Sequence, residues 1–281
     1  MNKLLQSSCI FLALFAFTFQ NGSAQTIKAM TYNIKYDNTN DTVNNWNDRK
    51  EKMVHLIQHY NPSFLGIQEG LYRQVSYLNT ELSKYDYIGV GRDDGKKKGE
   101  FSALFYNSND FNVLQSHTFW LSTTPDKISV GWDASMERIC TYGLFQHKKT
   151  KEQFWVFNTH FDHIGDLARK NAAQLIIDKI KSINTKNLAV ILMGDFNLSP
   201  EAEAIATIKT HLKDSYITST TPPYGPKGTF NGFTNKLMTD RIDYVFVRHF
   251  SVESVIQIDD KMDNNKHISD HIPVLVTLTK E

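Results

Sequence analysis

The stretch "AVILMGDFNLSP" at 189–200 decides how this chain is read. Ala189 to Met193 form an apolar, aliphatic-rich run of strand character. Gly194, Asp195, Phe196 and Asn197 follow, and a buried strand has no reason of its own to end on a carboxylate and an amide. Period two places Asp195 and Asn197 on one side and turns Phe196 to the other, into the core. The apolar run is then a rigid mount, and the two polar residues are what it carries.

The same pattern recurs along the chain. Apolar strands read "IKAMTYNI" (27–34), "FLGIQE" (64–69), "YDYIGVG" (85–91), "FSALFY" (101–106), "CTYGLFQH" (140–147), "FWVFNTHF" (154–161), "RIDYVFV" (241–247) and "HIPVLVTL" (271–278). Polar residues gather at their ends: Asn33, Glu69, Asn158, His160, His163 and the pair Asp270–His271, with Asp243 inside its strand. Helical spacing marks 46–60, 74–82 and 166–183, the last with Leu167, Ala168, Leu175, Ile176 and Ile180 on one stripe. A fourth helix is expected over 199–212, with Ser199 as cap and Pro200 in the first turn. Strands outnumber helices, which predicts a two-sheet α/β sandwich of mixed sheets with helices outside. "TTPPYGPKGTFNGF" (220–233) is long enough for a functional loop.

The first 24 residues have the pattern of a secretory signal peptide: Lys3, a short apolar core from Cys9 to Phe19, and small residues up to Ala24. The apolar core is too short for a comfortable membrane span. The expectation is a secreted or periplasmic protein, with 25–281 as a single domain and no stable span after processing. Of the two cysteines, Cys9 leaves with the leader, so Cys140 has no intrachain partner and stability must come from packing. Formal net charge is +1, which excludes a global basic field of the kind that gathers polyanions. The basic run "GRDDGKKKGE" (91–100) reads as a solvated hairpin tip. No obligate protein partner is indicated.

Carboxylates with amide oxygens are hard ligands, suited to Mg2+, Mn2+ or Ca2+. Histidines beside carboxylates can move protons, the carboxylate fixing the tautomer. Together these groups suit phosphoryl chemistry, which needs charge neutralisation and positioning. Zinc is the rival metal, because His160 and His163 have the offset of a ligand pair; no cysteine cluster and no HExxH accompany them. Taken singly, Asp195, Asp270 and Asn33 could each be turn formers or caps. Glu69 is harder to dismiss, because an acid completing an apolar run must be buried or face a cavity.

"TYNI", "IQE", "NTHFDH", "GDFN", "RIDYVFV" and "SDHIPV" occur in an order that resembles the endonuclease/exonuclease/phosphatase superfamily, the DNase I-like fold. The motifs span 30–276, nearly the whole mature chain. The resemblance implies a four-layered α/β sandwich and a phosphoesterase dependent on a divalent metal, most often Mg2+. It implies Glu69 as principal metal carboxylate, with Asn33 and Asp270 close to metal and phosphate. It implies Asp195 as the group that orients or deprotonates water, and Asn197 as a phosphate hydrogen-bond donor. His271, paired with Asp243, and His160 would act at the scissile phosphate. Glu100 would orient His160, and Arg138 would contact phosphate. Position 35 departs from the pattern: it is lysine where apurinic-endonuclease-like members carry an acid. "GRDDG", "TFWLSTTPD" and "GWDASMERICTY" resemble an exported bacterial subgroup, and Trp120 and Trp132 could stack on a ring or pack the rim.

The function expected is therefore an exported metal-dependent hydrolase of phosphate esters, of small molecules, lipids or nucleic acid. The first alternative is an extracellular nuclease with the same chemistry. The second is a non-catalytic module that binds phosphate ligands.

Overall fold

In β10 (Ala189–Asp195), Ala189, Ile191 and Met193 face one way while Val190 and Leu192 face the other. Both faces are apolar, so this strand is buried between two layers. The computed structural model describes residues 26–281, and the leader read at 1–24 lies outside them. Ahead of β10 come β1 (Thr26–Asn33), α1 (Trp46–Tyr60), β2 (Phe64–Gln68), β3 (Gly70–Leu71), α2 (Tyr72–Glu81), β4 (Tyr85–Ile88), β5 (Glu100–Phe101), β6 (Leu104–Asn107), β7 (Phe111–Trp120), β8 (Ile139–His147), β9 (Gln153–His160) and α3 (Asp166–Ile183). After it come α4 (Glu203–Lys209), β11 (Lys213–Asp214), α5 (Ser215–Thr218), β12 (Asp243–Arg248), β13 (Phe250–Gln257) and β14 (Val274–Lys280).

Two six-stranded sheets result, ordered β13-β14-β1-β2-β6-β4 and β11-β12-β10-β9-β8-β7. Ile27, Ala29 and Phe64 of the first meet Val156, Ile191 and Val245 of the second in an apolar core between the sheets. Met53 and Ile57 of α1 and Leu78 of α2 cover the outer face of the first sheet. Ala173, Ile176 and Ile180 of α3 and Ile205 of α4 cover the second. This is the expected four-layered α/β sandwich. Among the described residues no helix is long and apolar enough to cross a membrane.

Three local expectations need correcting. The helix read over 199–212 is shorter, because Ala202 caps α4 and residues 199–202 form a turn. Leu167 does not join the α3 stripe; it is exposed, and Ala172, Ala173 and Ile177 pack instead. Strands β7 and β13 were not anticipated: both are the outermost strands of their sheets, and β7 is exposed over Leu114 to His117.

The topology brings strand ends together. β1 and β2 are parallel, as are β9 and β10, so each pair ends at one edge. β12 and β14 run antiparallel to their neighbours and begin at that edge. The alternation that buries Ile27 and Ala29 between the sheets carries Thr31 and Asn33 onto the same face, and that which buries Ile191 and Met193 carries Asp195 there.

Candidate active site

Asn33 is fully buried at the join of the two sheets. Its Nδ2 donates to Glu69 Oε1 at 3.0 Å and to Asp195 Oδ2 at 2.9 Å. His271 Nε2 lies 3.7 Å from the same Asp195 oxygen, and its Nδ1 is 2.8 Å from Asp243 Oδ2. His160 Nε2 approaches Asp195 Oδ2 at 3.5 Å. The amide, the acids and both histidines predicted from strand ends thus share one site. Glu69, Asp195, His160 and His271 border a cleft of about 520 Å³ that is also lined by Lys35, Asn197, Asp270, Arg92, Glu100 and Arg138, while Asn33 and Asp243 lie behind it.

Local backbone shape matters here. Lys35, Glu69 and Asn197 all adopt left-handed φ angles, of 55°, 61° and 50°. Such angles cost a non-glycine residue energy and persist where the surroundings over-determine them. Asn197 is therefore not placed by strand periodicity alone, since β10 stops at Asp195. Its backbone N–H donates to Asp195 Oδ1 at 3.0 Å and its Nδ2 donates to the Phe161 carbonyl at 3.0 Å. Phe196 does enter the core, as expected. Gly194 allows the strand to end this way: at φ 153° a Cβ would run into the Thr159 carbonyl oxygen.

Charges divide the site. Lys35 Nζ lies 3.3 Å from Glu69 Oε2 and 3.3 Å from Asp270 Oδ2. Burial alone would raise the Glu69 pKa, but the Lys35 ammonium and the bond from Asn33 outweigh it and hold the carboxyl below its usual range. The Glu69–Asp270 pair already shares one cation, and hard oxygen donors with a neighbouring amide suit a divalent ion such as Mg2+. Asp195 shifts oppositely: burial, then the Asp243 charge, push its pKa up. For His271, burial disfavours the charged form, but Asp243 and Asp195 outweigh it and lift the pKa to about 10. His160 is driven well below its ordinary value by burial and by the Arg138 and Arg92 charges. Asp195, Asp243 and His271 also bring one ligand atom each within 4.8 Å of one another. Because Asp243 engages His271 Nδ1, that trio is better described as an oriented histidine than as the primary cation site.

Several expectations change. Glu100 does not orient His160: its carboxylate is taken bidentately by Arg92, at 2.8 and 3.0 Å. His163 does not join His160 as a zinc pair, because its Nδ1 faces Arg138 Nη2 at 2.9 Å. Asn158 is structural: it bonds the Ile67 and Ala103 carbonyls at 2.9 and 2.8 Å and accepts from Gln68 at 2.7 Å, tying β9 to the first sheet. Trp120 packs the rim and donates its indole N–H to the Arg92 carbonyl at 2.8 Å; neither it nor Trp132 lines the cleft. Loop 220–233 is functional in placement. Thr229 Oγ1 accepts from the Asp243 N–H, Asn231 Nδ2 holds the Ser269 carbonyl, and the Phe230 ring lies 5.0 Å from that of His271.

Three residues escaped the sequence reading. Arg49 is buried on α1 and donates to the carbonyls of Ile34, Lys35, Asn44 and Ile268, clamping the loops that carry Lys35 and Asp270. A charged residue on the apolar stripe of 46–60 was its signal. Asp162 accepts from Ser135, Arg138, Ile164 and Gly165, fixing Arg138 against the cleft. Arg92 lay hidden in the basic run 91–100; that run does form a hairpin tip, but Arg92 turns into the cleft.

Known proteins match this chain in sequence and in fold. The model of the Endonuclease/Exonuclease/phosphatase family matches residues 30–271. A solved endonuclease/exonuclease/phosphatase from Bacteroides vulgatus is 39% identical, with TM-score 0.86, over 92% of this chain and all of that one. A mannosyl-6-phosphatase from Bacteroides thetaiotaomicron is 38% identical, with TM-score 0.87, over 90% of this chain and 99% of its own. A protein of Acanthamoeba polyphaga mimivirus is 28% identical over 254 residues, 84% of this chain and 92% of its own. The matched span runs from the β1 motif to His271, and the chain belongs to the endonuclease/exonuclease/phosphatase family of divalent-metal-dependent phosphoric ester hydrolases.

Proposed function

We propose that this protein is an exported hydrolase of small phosphate monoesters, with a sugar phosphate as the preferred class. The observation that carries the hydrolytic reading is the meeting of Asn33, Glu69, Asp195 and His271 where the two sheets end together. Glu69, Asp270 and Asn33 would hold the divalent ion, Mg2+ foremost with Mn2+ or Ca2+ as alternatives. Bound there, it would neutralise charge on the phosphoryl oxygens. Asp195 orients the attacking water and takes its proton, its buried carboxylate being the more basic of the two strand-end acids. His271, aligned by Asp243, and the amide of Asn197 donate to phosphoryl oxygens in the transition state. His160 and Arg138 complete that cage from the second sheet.

Support for a small substrate comes from the mannosyl-6-phosphatase likeness and from a net charge of +1. Export rests on the leader at 1–24, with the mature domain at 25–281. A panel of hexose phosphates, aryl phosphates, phosphodiesters and nucleic acids, run with Mg2+ and with chelator, tests the reading. The expected result is metal-dependent turnover, fastest on hexose phosphate and nearly independent of salt. Turnover of nucleic acid that falls steeply with salt would select the nuclease instead. Failure to turn over any ester with any divalent ion would overturn the hydrolase.

A further inference from the structure

Apart from the residues that handle the phosphoryl group, the cleft presents a second chemistry. Arg92 and Glu100 lie at opposite ends of the hairpin tip, and both line the cleft. They form a bidentate pair at 2.8 and 3.0 Å, and Arg92 Nη2 also contacts the Met136 sulfur at 3.0 Å. The pair is pre-positioned: the Arg92 N–H donates to the Glu100 carbonyl at 3.1 Å, and the Trp120 indole holds the Arg92 carbonyl. Neither side chain bonds to Asn33, Glu69, Asp195 or His271, so the pair does not serve to hold them in place.

An ionised carboxylate offers about four acceptor positions, and Arg92 fills two of those on Glu100. The side chains remain 12% and 18% exposed, so the open positions reach the cleft. The open positions on that carboxylate accept from hydroxyl donors. A fixed carboxylate–guanidinium pair matches neighbouring hydroxyls, one side accepting and the other donating.

We propose that the Arg92–Glu100 pair is the leaving-group subsite and binds neighbouring hydroxyls of a sugar, which makes these two residues determinants of sugar phosphate specificity. The proposal rests on the phosphate-ester reading above.

The test compares hexose phosphate with para-nitrophenyl phosphate, whose leaving group has no vicinal hydroxyls, in wild type, Glu100→Gln and Arg92→Lys. Circular dichroism and melting temperature confirm folding. One lost charged hydrogen bond predicts that kcat/KM falls about ten-fold more on hexose phosphate than on the aryl ester, chiefly through KM. Free hexose should inhibit aryl ester turnover by wild type and do so more weakly in both variants. Equal losses on the two substrates would overturn the subsite and leave the hydrolase reading intact. If wild type turns over no ester, calorimetric titration of hexose phosphate decides: weaker binding in Glu100→Gln supports the pair, and unchanged binding overturns it.

Discussion

The two sheets have the same sequence of strand pairings and end in different chemistry. Read from the third strand, each has an antiparallel neighbour on one side and a parallel one on the other, followed by two antiparallel strands: β14-β1-β2-β6-β4 against β12-β10-β9-β8-β7. Each parallel pair is joined by one helix, α1 or α3. The first sheet's parallel pair leads to Asn33 and Glu69, the second's ends in Asp195 and His160. Glu69 has its pKa lowered by a cation, and Asp195 has its pKa raised by burial and a like charge. One scaffold used twice thus ends in two acids of opposite character, and Asn33 joins them with a bond to each; on the function proposed above, the first half holds charge and the second handles the proton. Identical architecture fixes where side chains converge; only the residue at the last position fixes what each half does.

The largest expected effect breaks that division directly. Asp195→Ala should cut turnover by about a thousandfold, with no recovery at high metal concentration, since a lost base is not replaced by more ion. Glu69→Gln should also be severe, but part of its activity should return as Mg2+ or Mn2+ is raised, because its defect is in affinity. Steady-state kinetics over a metal titration separates the two. Rescue of both variants, or of neither, would show that the halves do not divide the work in this way.

A second comparison concerns the turns that follow β1 and β9. The first is held by a buried cation and the second by a buried anion. Arg49 donates to four carbonyls around the β1 exit, and Asp162 accepts from backbone and side-chain donors around the β9 exit. Arg49→Met leaves several of those carbonyls unpaired and should cost about 3 kcal/mol in urea unfolding. A loss below about 1 kcal/mol would mean that water satisfies those carbonyls as well as the guanidinium does.

Much of this was legible in the sequence because burial on both faces leaves a plain signal. The apolar runs of β1, β9, β10 and β12 announced themselves, and a carboxylate or amide ending such a run is hard to explain otherwise. Edge strands carry no such signal: β7 is solvated over Gln115 to His117. Strand β13 alternates Phe250 and Val252 with polar residues and could have been found by period two. Side-chain partners were less legible than positions. Asn158 sits where strand-end reasoning put it and Glu100 reaches the cleft the family resemblance implied, yet one ties two sheets together and the other pairs with Arg92. Sequence spacing says which face a residue is on and nothing about which neighbour, distant in sequence, will claim its hydrogen bonds. Arg92 and Asp162 were missed for the same reason, whereas Arg49 left a signal as the one charge on an apolar helical stripe.

The smallest expected effect tests the anionic turn. Bonds from Gly165, Ser135 and Ile164, with the Arg138 charge, overcome burial and bring the Asp162 carboxyl below its ordinary range. A carboxylate whose folded pKa is depressed contributes stability above its unfolded value, near 3.8, and loses it as pH falls toward the folded value. Wild type should therefore lose part of its stability on acidification below about pH 4 through this group. Asp162→Asn keeps an oxygen for the backbone N–H donors at the start of α3 but cannot titrate. It should be less stable by about 1 kcal/mol at neutral pH, and its deficit should shrink as the medium is acidified. Melting temperatures of both proteins between neutral and acid pH provide the measurement. A deficit that stays constant across that range would show that Asp162 acts as a neutral acceptor. The two turns would then differ in the direction of their hydrogen bonds and not in how they use charge.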